Sequence, residues 1–276
     1  MTTKQTELQT AEAKLRQIVR ELRSALVAFS GGVDSTLLAR LAHEELGDRC
    51  LAVTVTSELY PQFQVEQACQ IARQVGIRHE LVETDELAVP GFSHNPPDRC
   101  YHCKKELFGH LAAMAGRLGL EHVADGCNAD DVHDHRPGMR AAVELGVRSP
   151  LKEAGLTKAM VRALSKQLGL PTWDRPSFAC LASRFPYGQE ITRQRLDQVR
   201  QAEEFLRQSG FRQYRVRHHD TVARIEVEPA DLPRLMDEAL REKVVRRLKE
   251  LGFHYVTVDL EGFRSGSMNE TLKRED

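Results

Sequence analysis

The sequence predicts an α/β protein with a doubly wound, mainly parallel sheet and a smaller C-terminal α+β domain. Short apolar runs alternate with helical patterns over residues 25–170, which is typical of a parallel sheet covered by helices on both faces. Beyond residue 184 the order changes to helix, hairpin, helix pair and strand. The 276 residues suffice for two modest domains, since a domain takes roughly 100–200 residues. We therefore expect domains at 1–183 and 184–276.

The elements of the first predicted domain follow from the spacing of apolar side chains. Strand-like segments occur at residues 25–29, 51–56, 79–83 and 121–125. The first is a continuous apolar run, as in a strand covered on both faces. Helical spacing of apolar residues occurs at residues 7–23, 37–46, 62–75, 104–118, 138–145 and 157–168.

The second predicted domain follows a long connection that is broken by Pro171, Pro176 and Pro186, and long connections are often functional. Its predicted elements are a helix at 192–207, a hairpin of Tyr214–His218 and Val222–Val227, a helix pair at about 230–250 and a strand at Tyr255–Asp259.

Composition and charge exclude several classes of protein. The net charge is −1, and residues 184–276 carry 18 basic and 17 acidic side chains, so a protein that holds nucleic acid by bulk charge is disfavoured. No apolar run approaches the roughly 18 residues of a membrane span, and no secretory signal is visible at the N-terminus. Six cysteines are too few for a disulfide scaffold. We expect a cytoplasmic protein whose cysteines are thiols or metal ligands.

A heptad rich in glycine and hydroxyl groups, SGGVDST at residues 30–36, follows the first predicted strand and opens the next helix. Open α/β sheets bind ligands at this edge. Glycines let the backbone approach a phosphate, and a helix N-terminus offers free N–H groups. The alternative is a plain glycine turn with a helix cap. The candidate phosphate-binding residues are Ser30, Gly31, Gly32, Ser35 and Thr36, with Asp34 as a candidate ligand of Mg2+.

The heptad is neither a Walker loop nor the dinucleotide fingerprint, and it resembles the SGGxDS loop of the PP-loop ATP pyrophosphatases. The segment DGCNADD at residues 125–131 resembles the GTNxDD segment of several members of that superfamily. The resemblance implies a sheet of the PP-loop ATPase type and cleavage of ATP, with Mg2+, between its α and β phosphates. It adds Asp125 and Asn128 to the nucleotide-binding residues. Cys127 stands where threonine is usual and receives no role.

Three cysteines are spaced in a way that suggests chemistry. Cys100 and Cys103 form a C-x-x-C pair, and Cys180 lies further along the chain. The pair could be redox-active, or part of a zinc site completed by Cys180 and a histidine such as His94 or His102. Alternatively, the three thiolates could hold a 4Fe–4S cluster with one iron left open. Thiolates suit both zinc and iron–sulfur clusters, so ligand type alone leaves these interpretations open.

Several segments together resemble the LarE family, and CLASRFPYG around Cys180 is the most discriminating. The others are SGGVDST, the C-x-x-C followed by KKELF, DGCNADD, the RVR strand and GFRSGSMN, over about residues 20–270. The resemblance implies an ATP-dependent sulfur transferase of nickel-pincer nucleotide synthesis for lactate racemase. Its small-molecule substrate would be pyridinium-3,5-biscarboxylic acid mononucleotide, a carboxylate of which is adenylated and converted into a thiocarboxylate. The resemblance also implies a homo-oligomer.

The LarE family has two versions. One has a single cysteine, matching Cys180, and sacrifices its sulfur to leave dehydroalanine. The other matches Cys100, Cys103 and Cys180 and binds a 4Fe–4S cluster that can carry an extra sulfide. The three-cysteine pattern here favours the second version. We expect Cys180 to be catalytic together with Arg184, because a cation in the same loop favours the thiolate. The sequence does not identify the sulfur donor.

Arg215 and Arg217 are two residues apart in a predicted strand and therefore share a face. One interpretation is a solvated charged face of the hairpin. The other is a phosphate site, since paired guanidinium groups suit the monophosphate of a mononucleotide. The LarE resemblance implies the second, with Arg184 as a third cation. It also implies that Glu203 contacts a metal near the sulfur-bearing cysteine.

Two functions of other classes remain as alternatives. A PP-loop tRNA thiolase would need a basic surface for RNA, which the charge balance disfavours. A zinc-stapled, non-enzymatic nucleotide-binding protein would need zinc in place of iron. His133 and His135 also suggest a metal site, but solvated polar loop residues are the favoured interpretation.

Overall fold

The structure, a computed structural model, describes residues 3–133, 137–176 and 178–273. The chain divides into two compact units, which are residues 1–90 with 98–178, and residues 91–97 with 179–276. The division places residues 179–183 with the C-terminal unit. The predicted domains 1–183 and 184–276 stay predictions.

The first unit contains a parallel sheet with the strand order β3-β2-β1-β4. Its strands are β1 (Ala25–Ala28), β2 (Cys50–Thr56), β3 (His79–Glu83) and β4 (His122–Ala124). Its helices are α1 (Thr3–Glu21), α2 (Val33–Leu46), α3 (Gln62–Val75), α4 (Arg99–Arg117), α5 (Pro137–Glu144), α6 (Pro150–Glu153) and α7 (Lys158–Gln167).

Alternate side chains of the strands enter two different hydrophobic clusters. Ala25 and Val27 of β1 pack with residues of α1, α2, α3 and α7. Leu26, between them, packs with residues of α4 and α5. Because successive strand side chains point to opposite faces, helices cover both faces of this sheet. The predicted α/β class is therefore confirmed.

The strand order places a switch point beside β1. The chain moves outward from β1 through β2 to β3 and then returns to β4, which pairs with the other side of β1 through Val27 and Ala124. Ligands bind where strand order reverses in such sheets, at the carboxyl ends of the strands. The segments that follow β1 and β4 contain the SGGVDST and DGCNADD motifs.

Helix α4 begins at Arg99, five residues before the predicted start. Its first turn carries the polar sequence RCYHC, which apolar periodicity does not detect. Asp98 precedes the helix, and its carboxylate contacts the His102 ring at 3.3 Å without capping the helix. The C-x-x-C pair therefore lies on the first turn of a helix.

The second unit contains a mixed sheet of order β5-β6-β7. Its elements are α8 (Arg193–Gln208), β5 (Tyr214–His219), β6 (Val222–Val227), α9 (Leu232–Met236), α10 (Glu238–Glu250) and β7 (Tyr255–Val258). Strands β5 and β6 form the predicted hairpin, and β7 pairs with β6 in parallel. Helix α8 buries Leu196, Val199 and Leu206 and packs against β5 and α10.

The helices of the described ranges were also compared with what a bilayer requires. None of them combines the length and the apolar character that a membrane-spanning helix needs.

Candidate functional site

The 30–36 loop connects β1 to α2 and is held in a tight turn by its own serines. The Ser35 hydroxyl accepts a hydrogen bond from the Ser30 N–H at 3.2 Å and donates to the Gly32 carbonyl at 3.3 Å. Gly31 has a φ of +66°, in the left-handed region that favours glycine. Gly32 precedes α2, and no side chain caps that helix. The first N–H groups of α2 are therefore available to an anion.

Thr36 carries a buried hydroxyl on the first turn of α2. The residue is fully buried, and its Oγ1 has no hydrogen-bond partner among the residues the structure describes. Buried hydroxyl groups are normally hydrogen-bonded. A buried hydroxyl without a partner beside an uncapped helix N-terminus offers donors that suit an anion.

The 125–131 segment approaches the 30–36 loop closely at Gly126. A Cβ added at Gly126 would lie 3.0 Å from the Ser35 backbone nitrogen and 3.2 Å from its Cα. Asp125 holds the segment in place, because its carboxylate accepts from the Ser149 hydroxyl at 2.7 Å and from the Cys127 N–H at 3.1 Å. The two segments that the sequence singled out are thus in contact at the switch point.

Cys127 is held as a thiol. Its Sγ donates to Asp125 Oδ2 at 3.1 Å. Burial first, and the charge of Asp125 second, raise the pKa of the Cys127 thiol to about 12. A thiol with such a pKa is a poor nucleophile at neutral pH, so this cysteine is not suited to carry sulfur.

Asp34 lies between two side chains from distant parts of the chain. Asn128 Nδ2 donates to its Oδ1 at 3.1 Å, and Lys158 Nζ donates to its Oδ2. The predicted pair of Asp34 and Asn128 therefore meets, and these oxygen-bearing side chains fit the hard-ligand preference of Mg2+. Sequence reasoning missed Lys158, because a lysine at the start of α7 looks like an ordinary solvated helix residue.

Arg175 is a second cation beside the loop that sequence reasoning missed. Its Nη1 donates to the Gly31 carbonyl at 2.7 Å, and its Nη2 donates to the Gln67 side chain. It lies in the proline-broken connection between Pro171 and Pro176. The only available signal was an arginine next to a proline, which by itself does not indicate a ligand.

We expect Gly126→Ala to weaken MgATP binding about tenfold or more, since overpacking a tight contact costs about 1–3 kcal/mol. The added methyl would push the Ser35 backbone away from its place in the loop. Isothermal titration calorimetry with MgATP measures the effect. Gly116→Ala is the matched control, because that Cβ would meet no atom within 4 Å. Equal affinity in the two variants would contradict a need for this close approach.

The C-x-x-C thiols lie in the first unit, three residues apart on the first turn of α4. Cys100 is exposed and Cys103 is half-buried. Residues three apart share one face of a helix, so this pair fits two ligands of one metal group. Within the described ranges, no group of three or more His, Cys, Asp or Glu side chains is placed to hold a metal ion.

Cys180 lies in the second unit, directly before a 3₁₀ turn at Leu181–Arg184. The Arg184 guanidinium fixes its backbone, since Nη1 donates to the carbonyls of Ala179 at 2.8 Å and Cys180 at 3.0 Å. Arg184 itself is completely buried. This geometry makes Arg184 a positioning residue for Cys180; the direct catalytic role predicted for it stays a prediction.

Glu203 of α8 is the counterion of Arg184. The two side chains form a bidentate pair with both distances at 2.8 Å, and Glu203 Oε1 also accepts from the Val216 N–H at 2.9 Å. Burial lowers the pKa of Arg184, but the Glu203 carboxylate outweighs it and holds that pKa above its ordinary value. The metal contact predicted for Glu203 stays a prediction.

Arg215 and Arg217 are both buried on β5. Arg217 pairs with Glu226 at 2.9 and 2.7 Å and donates to the Ser183 carbonyl at 2.9 Å. Arg215 donates to the Tyr214 carbonyl at 2.6 Å and stacks on the Phe263 ring.

The charge of Arg215 is costly where it lies. Burial first, and the nearby Arg184 second, lower the pKa of Arg215 to about 10. An anion placed beside it would relieve both effects. Because both arginines are buried, the interpretation of a solvated charged face is wrong for them, and the predicted phosphate site stays a prediction.

The sequence also singled out His133 and His135, whose favoured interpretation was solvated polar loop residues. His135 lies outside the described residues, as does the side chain of His133.

Comparison with known proteins relates the whole chain to other sequences. The NAD synthase family profile matches residues 7–96. An uncharacterized protein of Synechocystis is 46% identical, over 94% of this chain and 97% of its own length. The pyridinium-3,5-bisthiocarboxylic acid mononucleotide synthase of Lactiplantibacillus plantarum is 40% identical, over 97% of this chain and 96% of its own length. An uncharacterized protein of Methanocaldococcus jannaschii is 30% identical, over 88% and 92%. The similarity therefore extends over both units.

Proposed function

Because the chain belongs to the LarE family of pyridinium-3,5-bisthiocarboxylic acid mononucleotide synthases, an ATP-using family of enzymes, we propose its reaction as follows. It adenylates a carboxylate of pyridinium-3,5-biscarboxylic acid mononucleotide and converts it into a thiocarboxylate for nickel-pincer nucleotide synthesis. The observation that carries this proposal is 40% identity to such a synthase over nearly the full length of both chains. The 30–36 loop supports the ATP-dependent half of the reaction.

In the first step, a carboxylate oxygen of the substrate attacks the α-phosphorus of ATP, and pyrophosphate leaves. A carboxylate is a poor acyl electrophile, and the new acyl adenylate has AMP as a good leaving group. The uncapped N-terminus of α2 and the Thr36 hydroxyl are suited to bind the pyrophosphate. Donors already fixed by the fold stabilise charge on a leaving group with little reorganisation.

Asp34 and Asn128 are the side chains that would hold Mg2+. Their oxygens lie together at the switch point, and Mg2+ binds through one or two carboxylates together with substrate phosphates. The ion would neutralise charge on the departing pyrophosphate. Lys158 neutralises Asp34 in this structure, and its charge would become available to a phosphate if the metal took its place.

In the second step, a sulfur nucleophile attacks the activated carbonyl carbon and AMP leaves. We propose that Cys100, Cys103 and Cys180 are the ligands of a 4Fe–4S cluster, which fits the soft donor set and the shared helix face of the first two. When bound, the cluster would supply a sulfide on its unligated iron as the sulfur nucleophile. Arg184 would hold Cys180 at a fixed place through the backbone carbonyls.

The substrate is a mononucleotide, and its monophosphate needs a cation. Arg215 is a buried guanidinium whose pKa is lowered by burial, so binding an anion there is favoured. Arg217 is already neutralised by Glu226 and would orient the site. A site built from so few cations suits a small anion better than RNA. The homo-oligomeric state stays a prediction, and light scattering would measure it.

Anaerobically purified protein is expected to contain about four irons and four sulfides per chain. Cys100→Ser and Cys103→Ser should each lower the iron content, because each removes a thiolate ligand. Iron and sulfide assays measure this, and Cys69→Ser is the control because its thiol lies outside the proposed set. Protein without iron would contradict the cluster, and stoichiometric zinc would favour the nucleotide-binding alternative.

Turnover on the same sample tests the reaction itself. Incubation with MgATP and the mononucleotide should yield AMP, pyrophosphate and a thiocarboxylate, detected by mass spectrometry. An unchanged polypeptide mass supports sulfur delivery by the cluster, whereas loss of one sulfur at Cys180 would show the sacrificial route. Absence of thiocarboxylate when iron is present would contradict the proposed function.

A further inference from the structure

Arg175 is a half-buried cation at the 30–36 loop, and it forms no ion pair with any carboxylate in the part of the chain that the structure describes. Its hydrogen-bond partners among the described residues are the Gly31 carbonyl at 2.7 Å and the Gln67 side chain, both neutral. Arg148, which is half-buried, and Arg184, which is buried, are by contrast each paired with a glutamate. Arg175 is thus held beside the loop without the carboxylate that such a charge normally finds.

The position of Arg175 is unfavourable for its positive charge. Burial lowers the pKa of the Arg175 guanidinium below its ordinary value. A charge removed from water without a partner costs free energy. A ligand anion beside Arg175 would recover that cost, so this placement of the guanidinium favours anion binding at the loop.

The backbone around Arg175 is fixed before any ligand arrives. Arg162 of α7 donates to the Trp173 carbonyl at 2.7 Å and to the Arg175 carbonyl at 2.8 Å. A guanidinium mounted on an anchored segment loses less entropy on binding than one on a free loop. Arg175 therefore has the rigidity of a binding residue, although it lies outside helices and strands.

A second, independent observation indicates an anion at the same loop. The Thr36 hydroxyl is fully buried without a hydrogen-bond partner among the described residues. Helix α2 presents its first N–H groups with no side-chain cap. The loop thus has a cation that lacks an anion and donors that lack an acceptor.

We propose that Arg175 is a further pyrophosphate-binding residue, which contacts the phosphates of ATP that leave together. A guanidinium presents a planar fork of donors that matches phosphate oxygens, and the position at Gly31 places that fork beside the glycines of the loop. The inference rests on the ATP site of the proposed function. It requires nothing of the sulfur-transfer step.

Isothermal titration calorimetry of the full chain with inorganic pyrophosphate and Mg2+ tests this role. We expect Arg175→Gln to raise the Kd for pyrophosphate about tenfold to 100-fold, the range for a lost charged hydrogen bond. The Kd for AMP, which lacks the departing phosphates, should change by less than about twofold. Arg117→Gln removes one exposed charge from the same unit and serves as the matched control. The single tryptophan, Trp173, reports by its fluorescence that the segment keeps its structure.

Each result of these titrations either supports or contradicts a role of Arg175 in pyrophosphate binding. Unchanged pyrophosphate affinity in Arg175→Gln would overturn the proposal, and so would an equal loss of AMP affinity, which would mean that Arg175 only braces the loop. If Arg175→Gln does not fold, Arg175→Lys decides, because lysine keeps the charge without the fork. Wild-type affinity in that variant would overturn the proposal. Wild-type protein that binds no pyrophosphate would instead contradict the proposed function itself.

Discussion

Cys180→Ala is expected to abolish thiocarboxylate formation while the chain still forms the acyl adenylate and releases pyrophosphate. The substitution removes the thiol that we propose to take part in sulfur transfer. It leaves the 30–36 loop intact, because that loop is built within the other unit. Single-turnover assays measure pyrophosphate release and thiocarboxylate separately, so the two steps are read independently.

A control variant and two contrary outcomes make the result for Cys180→Ala interpretable. Cys69→Ala removes a thiol from α3 that lies outside the proposed ligand set, and it should retain both steps. Simultaneous loss of adenylation and sulfur transfer in Cys180→Ala would mean that Cys180 is structural. Retention of both steps would contradict its role in sulfur transfer.

Arg184→Met is expected to lower the free energy of unfolding by about 3–5 kcal/mol, the cost of breaking a buried ion pair by removing one partner. The guanidinium is completely buried, and both Glu203 oxygens accept from it. Without Arg184, the Glu203 carboxylate would stay buried beside Val216 and would lose its bidentate ion-pair partner. Urea unfolding followed by circular dichroism measures the change.

Two variants separate the ion pair from a simple loss of packing. Arg184→Met combined with Glu203→Met should recover part of the lost stability, because no charge is then left buried. Arg148→Met is the matched control: its pair with Glu153 is about one-third exposed and should contribute about 0–1 kcal/mol. Similar losses in Arg148→Met and Arg184→Met would contradict the importance of burial.

Sequence patterns predicted the fold of the first unit well, because its central strands β1 and β2 are buried over most of their length. Residues 25–29 form a continuous apolar run, and β1 occupies Ala25–Ala28 between two helix layers. The start of α4 was placed too late, since its first turn is polar and exposed at Cys100. Periodicity identifies a helix by its buried face, so a polar first turn leaves no signal.

The loop residues of the candidate site were also predictable from the sequence. Gly31 needs a positive φ and Gly126 needs close approach, and each requirement restricts the residue type locally. The partners of these residues were not predictable. Lys158 and Arg175 are more than 100 residues from the loop positions that they contact, and nothing in their neighbours distinguishes them from solvated cations.

For the arginines of β5, the sequence predicted the position in the strand but not the surroundings. Spacing by two placed Arg215 and Arg217 on one face of a strand, and the structure buries both arginines on β5. Whether that face met solvent or the interior depended on what packs over it. Glu226, on the neighbouring strand, neutralises Arg217, and Phe263 covers Arg215.

The sequence by itself determined the class of fold, the two motifs of the nucleotide site and the family, because each depends on residue types at short spacing. The tertiary structure alone decided which charges meet. It paired Arg184 with Glu203 and Lys158 with Asp34, and it left Arg175 beside the loop with neutral partners. The physical reason is that electrostatic interactions depend on distance and burial. The distances between charges and their burial are set only when segments far apart in sequence pack together.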